Sequence, residues 1–145
     1  MILIVDNDGK NPVRIMVCDD DSSMRESIVR LIQKVADEKK VAVEVKESIN
    51  GLECLNQIYQ AFVSGCNFEA VLLDEAMPFM KGSKCMNILR DMNKEGFMNK
   101  IRKISISSFE DLETIKYIKA QGCDEFLPKP HNKEAISKFI ESLVN

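Results

Sequence analysis

The sequence predicts an α/β fold, a five-stranded parallel sheet covered by helices on both faces. Three observations predict it. Short β-branched apolar runs alternate strictly with stretches of helical periodicity, five of each. The alternation implies right-handed crossovers, hence parallel strands buried on both sides. At 145 residues and 45% hydrophobic content, the chain has the size and apolar content of one ordinary domain.

The elements follow in order. Ile2–Val5 is apolar and runs into Asp6 and Asp8, an echo of the run that follows. Too few residues separate it from Val13 for a crossover helix, and "NDGKNP" reads as a turn. Residues 1–12 are therefore set apart as an extension: an added edge strand, an intermolecular contact or a linker remnant. Residues 13–145 form the domain. Val13–Val17 is the first core strand. Met24, Ile28, Leu31, Ile32 and Val35 then mark one helix face, with Ser22 or Ser23 as cap. Val41, Val43 and Val45 alternate as a second strand. In "NGLECLNQIYQAF" the predicted inward face is Leu52, Leu55, Ile58, Tyr59 and Phe62. Ala70–Leu73 is the third strand, ending at Asp74, and Pro78 and Gly82 punctuate the loop after it. A helix over Lys84–Lys94 turns Met86 and Leu89 inward and Arg90 inward or to the edge. Ile101–Ile106 is the fourth strand. Leu112, Ile115 and Ile118 mark a helix ending at Gly122. Glu125–Leu127 is the fifth strand, and Ile136, Phe139, Ile140 and Leu143 mark the closing helix.

Composition narrows the partners. A net charge of −3 argues against nucleic acid as the main one. The apolar stretches fall far short of the roughly 18 residues that cross a membrane, and Ile2–Val5 is too short for a signal-peptide core. A soluble, cytoplasmic protein is expected. The five cysteines form no CxxC pair, so they are expected as reduced thiols packed as small hydrophobes. Met16, Met24, Met77, Met86 and Met92 read as core filler, and the single histidine, His131, as a loop residue.

In open α/β sheets ligands sit outside the carboxyl ends of the strands, where strand order reverses. The residues there are Asp19–Asp20–Asp21, Asp74, Ser107–Ser108 and Lys129, while Ser48–Asn50 carry no charge. Carboxylates crowded into one pocket repel, and a hard divalent cation such as Mg²⁺ relieves them. With a lysine and a hydroxyl they make a phosphoryl-transfer set. Asp74 is the better nucleophile because it stands alone on its strand, whereas Asp19 and Asp20 are adjacent and suited to share a metal.

"IMVCDDDSSMR", "NGLECL", "VLLDEAMPFMKG", "SISS" and "FLPKP" resemble, in order and spacing, the receiver domains of two-component response regulators across roughly residues 13–144. The resemblance implies a flavodoxin-like (CheY-like) three-layer sandwich with strand order 2-1-3-4-5. It implies that Asp74 accepts a phosphoryl group from a phosphohistidine on a histidine kinase or histidine phosphotransfer protein. Asp20, Asp74 and the backbone carbonyl of Ala76 would hold Mg²⁺ directly, and Asp19 largely through water. Ser107 would be the switch hydroxyl, Lys129 the phosphoryl-binding lysine, Pro130 the partner in a cis bond, and Phe126 the aromatic switch. Phosphorylation would then alter the surface of the fourth helix, fifth strand and fifth helix toward a downstream protein, with homodimerisation left open. Ala76, Lys81, Ser108 and Phe126 depart from the commoner family pattern, but none removes a catalytic group. Phe109 and Ala76 flank the route of an attacking water and cannot orient one, so slow hydrolysis of the aspartyl phosphate is expected.

Two rivals stand beside this reading. "VCDDDSS" places Asp19-x-Asp21 after a strand, which resembles the nucleophile motif of haloacid-dehalogenase-type phosphatases. That reading puts the phosphate on Asp19, but the chain is short and lacks a late acidic pair. The other is a protein-binding module that is never phosphorylated. No output domain is expected after the receiver, which is either a stand-alone regulator or one cut from a hybrid histidine kinase.

Overall fold

A computed structural model describes residues 11–108, 111–129 and 131–144. The expectations for Ile2–Val5, Asp6, Asp8, Phe109 and Pro130 lie outside the described residues. The strands β1 (Val13–Cys18), β2 (Val43–Ser48), β3 (Ala70–Asp74), β4 (Arg102–Ser107) and β5 (Glu125–Pro128) form one sheet in the order β2-β1-β3-β4-β5. Every neighbouring pair is parallel. The helices between and after them are α1 (Ser22–Lys39), α2 (Gly51–Val63), α3 (Gly82–Lys94), α4 (Leu112–Ala120) and α5 (Lys133–Val144). This is the flavodoxin-like sandwich that the sequence and its resemblance imply.

Strand composition follows position in the sheet. β1, β3 and β4 each have neighbours on both sides and helices above and below, so they are buried nearly throughout. β2 lies at an edge and exposes Lys46 and Glu47. Alternate side chains enter two cores. Ile15, Val17, Leu72, Ile104 and Ile106 pack with Ile28, Ile32, Ile136 and Phe139 on one face. Met16, Cys18, Val71 and Leu73 pack with Cys54, Ile58, Cys85 and Met86 on the other.

Several boundaries and faces differ from the sequence reading. The N-cap of α1 is Asp21, not Ser22 or Ser23: its carboxylate accepts from the amides of Ser23 at 3.0 Å and Met24 at 3.2 Å. A charged acceptor at a helix start is favoured over a hydroxyl by the helix dipole. β2 begins at Val43, leaving Val41 in the turn. On α2, Leu52 and Tyr59 are 51% and 47% exposed. Cys54 anchors the buried stripe beside Ile58, with Leu55, Ala61 and Phe62 packed on it. On α4, Leu112 is exposed and Ile118 alone is fully buried. α3 starts at Gly82, two residues before the expected Lys84.

Cys18, Cys54 and Cys85 are buried free thiols, as expected of small hydrophobes. Hydrogen bonding with Cys54 and burial push the Cys18 thiol far up, so it stays protonated. Among the described residues no helix is long and apolar enough to cross a membrane.

Candidate functional site

Parallel register brings the carboxyl ends of the central strands to one level. Cys18 pairs with Leu73, Asp74 with Ile106, and Ser107 with Pro128. The next residues of β1 and β5, Asp19 and Lys129, therefore meet Asp74 at the end of β3. The Lys129 Nζ donates to Asp74 Oδ1 at 2.9 Å and lies 3.5 Å from Asp19 Oδ2. Carboxylate oxygens of Asp19, Asp20 and Asp74 all lie within 4.8 Å of one another. Asp19 is fully buried, Asp74 half-buried and Asp20 exposed, so the cluster opens to solvent on one side. The amide of Lys129 donates to the Ser107 carbonyl at 2.9 Å, which ties the ends of β4 and β5. The structure thus brings together Asp19, Asp20, Asp74 and Lys129 by side chain, with Ser107 buried at the adjoining strand end. Ala76 is exposed in the loop after β3.

A family model for the response regulator receiver domain matches residues 15–141. The chain belongs to that family. Among curated relatives, the receiver is 23% identical over 107 residues to the peroxide stress-activated histidine kinase mak1 of Schizosaccharomyces pombe. It is 25% identical over 130 residues to the hybrid signal transduction histidine kinase L of Dictyostelium discoideum. Those matches cover 74% and 88% of this chain but only 6% and 7% of the relatives' lengths. Among solved structures, the chemotaxis protein CheY4 of Vibrio cholerae superposes with a TM-score of 0.71 at 21% identity, covering 91% of this chain and 98% of that one. A CheY-like receiver of Methanospirillum hungatei gives 0.73 at 22% identity, covering 92% and 95%. These two likenesses concern the fold.

The electrostatics of the receiver's pocket are those of a site short of positive charge. Burial raises the Asp19 carboxyl, and the nearby charges of Asp74 and Asp20 raise it further; the Asp21 amide and Lys129 pull the other way. Burial alone would lower Lys129, but its hydrogen bond with Asp74 and the two carboxylate charges outweigh that and hold it above its usual range. Asp19 Oδ1 accepts from the Asp21 amide at 3.0 Å. Its buried Oδ2 has no hydrogen-bond donor. A buried carboxylate oxygen that accepts no hydrogen bond, has only the Lys129 ammonium 3.5 Å away and faces two further carboxylates belongs to a donor set for a hard cation, and Mg²⁺ fits its all-oxygen chemistry.

The other residues singled out in the receiver's sequence fall as follows. Phe126 is half-buried on β5 and packs against the sulfur-rich core, with the Lys119 Nζ 5.9 Å from its ring centre. His131 precedes α5, as expected of a loop residue, and its Nε2 sits 3.0 Å from Ser27 Oγ. Sequence reasoning missed Arg25. Its Nη1 donates to the Asp19 carbonyl at 2.9 Å and its Nε to Glu47 at 3.0 Å, bracing the acidic loop. The signal was available: Arg25 lies one helical turn after Asp21, on the face that overhangs the loop. Glu75 was missed too, because its partner lies eight residues away.

Proposed function

We propose that this receiver takes a phosphoryl group onto Asp74 from the phosphohistidine of a histidine kinase or histidine phosphotransfer protein, with Mg²⁺ required. The reading is carried by the convergence of three carboxylates within 4.8 Å, with an ammonium 2.9 Å from Asp74. Asp20, Asp74 and the Ala76 carbonyl would hold Mg²⁺ directly, and Asp19 through water. When bound, the cation offsets the carboxylate repulsion and the negative charge of the incoming phosphoryl group. Asp74 attacks phosphorus, the P–N bond breaks, and its electron pair stays with the imidazole nitrogen, which takes up a proton. Lys129 then shifts from Asp74 Oδ1 to a phosphoryl oxygen, and the Ser107 hydroxyl donates to another. These movements would be transmitted through β4 and β5 to Phe126 and the α4-β5-α5 surface, changing its preference for a downstream protein. The histidine kinase relatives support a donor of that class and a place for this receiver within a hybrid kinase.

The rival nucleophile, Asp19, is poorly suited: its side chain is 1% exposed, one oxygen is tied to the Asp21 amide, and burial favours its protonated form. The test is incubation with acetyl phosphate and Mg²⁺, followed by intact-mass and peptide mass spectrometry. One phosphoryl group on Asp74, absent from Asp74→Asn and without Mg²⁺, is expected. Label on Asp19 would transfer the assignment to the phosphatase reading. A parent protein that neither labels nor binds Mg²⁺ would leave only a protein-binding module.

A further inference from the structure

We infer that Glu75 is a positioning residue that sets the floor of the phosphoacceptor site by capping α3; this rests on Asp74 being the phosphoacceptor. A helix start leaves backbone donors without intrahelical partners. At the N-cap of α3 stands Lys81, whose side chain makes no capping hydrogen bond. Glu75 supplies what is missing, twice. Its carboxylate Oε1 accepts from the Ser83 amide at 2.6 Å, and its carbonyl accepts from the Gly82 amide at 3.1 Å. A carboxylate at a helix N-terminus also suits the helix dipole. Ser83 is 2% exposed, so water does not readily replace the lost partner.

The clamp reaches the site because α3 approaches so closely. A Cβ on Gly82 would lie 2.3 Å from the Asp74 carbonyl oxygen, an approach only glycine permits. The first turn of α3 is thus pressed on residue 74 and bonded to residue 75. Asp74 precedes this anchored peptide and Ala76 follows it, so one anchor fixes both the acceptor's backbone and the carbonyl proposed to face Mg²⁺. The rest of the loop depends on the same anchor. Phe79 holds a left-handed φ of 69° while 82% exposed, and Met77 is wedged inward with its sulfur 3.4 Å from Cys18 Sγ. Released from Glu75, the loop has this wedge and short local turns to keep it in place. The Glu75 carboxylate is not one of the clustered oxygens, so it acts through backbone position and not as a ligand.

The test compares Glu75→Ala, Glu75→Asp and Glu75→Gln with the parent. Mg²⁺ titration is followed by NMR of the Asp74 and Ala76 amides, and the labelling rate with acetyl phosphate is measured at saturating Mg²⁺. Glu75→Ala removes the acceptor and Glu75→Asp falls short of Ser83. Both should weaken Mg²⁺ binding about tenfold, the lower end of what losing an outer-shell partner costs, and slow labelling similarly. Glu75→Gln keeps an oxygen that accepts from the same amide and should restore both to within about threefold of the parent. Ile32→Val, which weakens the core on the opposite face of the sheet, should leave both unchanged. A parent that labels on Asp74 beside a Glu75→Ala variant with parental affinity and rate overturns the inference. So does a Gln variant no better than Ala. If the parent itself neither binds Mg²⁺ nor labels, the Asp74 assignment fails and takes this inference with it.

Discussion

The two faces of the sheet are packed with different chemistry. Toward α1 and α5 the core is built from branched aliphatics, with Ile15, Val17, Ile28, Ile32, Leu72, Ile104, Ile136 and Ile140 all buried. Toward α2, α3 and α4 it is rich in sulfur: Met16, Cys18, Cys54, Met77, Cys85, Met86 and Met98. β-Branched side chains have few rotamers and pack stiffly. Methionine has three rotatable bonds and fills irregular space. The loop that carries Ala76 and Met77, the clamp at Glu75 and the ring of Phe126 all border the sulfur-rich face. The difference teaches where this receiver has room to change. By residue type, the aliphatic face is the stiffer packing and the sulfur-rich face, which borders the site, the one better able to repack.

The comparison can be broken by measurement, beginning with the largest effect. Ile104→Ala on the aliphatic face leaves a cavity that stiff neighbours fill poorly, and should cost about 3–4 kcal/mol in urea denaturation. A loss under about 1.5 kcal/mol, typical of volume-conserving swaps, would mean this face adapts too. Next is Gly82→Ala, whose added methyl meets the Asp74 carbonyl. It should cost about 2 kcal/mol through steric overlap with that carbonyl and slow acetyl phosphate labelling, tying the sulfur-rich face to the site. Smaller again is Met86→Leu, a swap of similar volume on the sulfur-rich face, expected to cost about 1 kcal/mol or less by the same denaturation. A loss equal to that of Ile104→Ala would erase the distinction.

The smallest effect is at the site itself, at Asp19, the residue after β1. Its carboxyl is raised in the folded state, first by burial. Between the unfolded and the raised folded values the native protein binds the extra proton, so this group's contribution to stability falls as pH rises. Its cost is fully present above the folded value and vanishes as pH drops below the unfolded one. Without metal, Asp19→Asn should therefore raise Tm by about 2–4 °C at neutral pH, with the gain shrinking toward pH 4. Saturating Mg²⁺ should remove or reverse the gain, because the cation needs the charge. Lys129 has the opposite sense. Its ammonium is held up by Asp74 and Asp19, so that stabilisation is complete below its unfolded value near 10.4 and is lost only as pH rises through the folded one. The difference in Tm between the parent and Asp19→Asn across pH 4 to 8 then reports the Asp19 contribution, since Glu69 and His131 titrate in both proteins.

Much of this was legible along the chain because strands and helices announce themselves locally. Alternating periods set the element order, and parallel crossovers force strand ends to one side, so Asp19, Asp20, Asp74, Ser107 and Lys129 could be gathered from sequence and family resemblance. What tertiary structure decided were relations with no local signature. Cys54 rather than Leu52 and Tyr59 faces the core, because the close approach of α2 to β1 and α3 sets which side is buried. Asp21 rather than a serine caps α1, because it is the last extended residue before the helix while Ser22 and Ser23 are already inside it. Arg25 reaches the Asp19 carbonyl, and Glu75 reaches Ser83, across a fold that sequence spacing does not measure. Residue type and order determined which groups gather at the site. Packing geometry decided which of them are anchored, and to what, because a hydrogen bond depends on distances of a few tenths of an ångström that periodicity cannot encode.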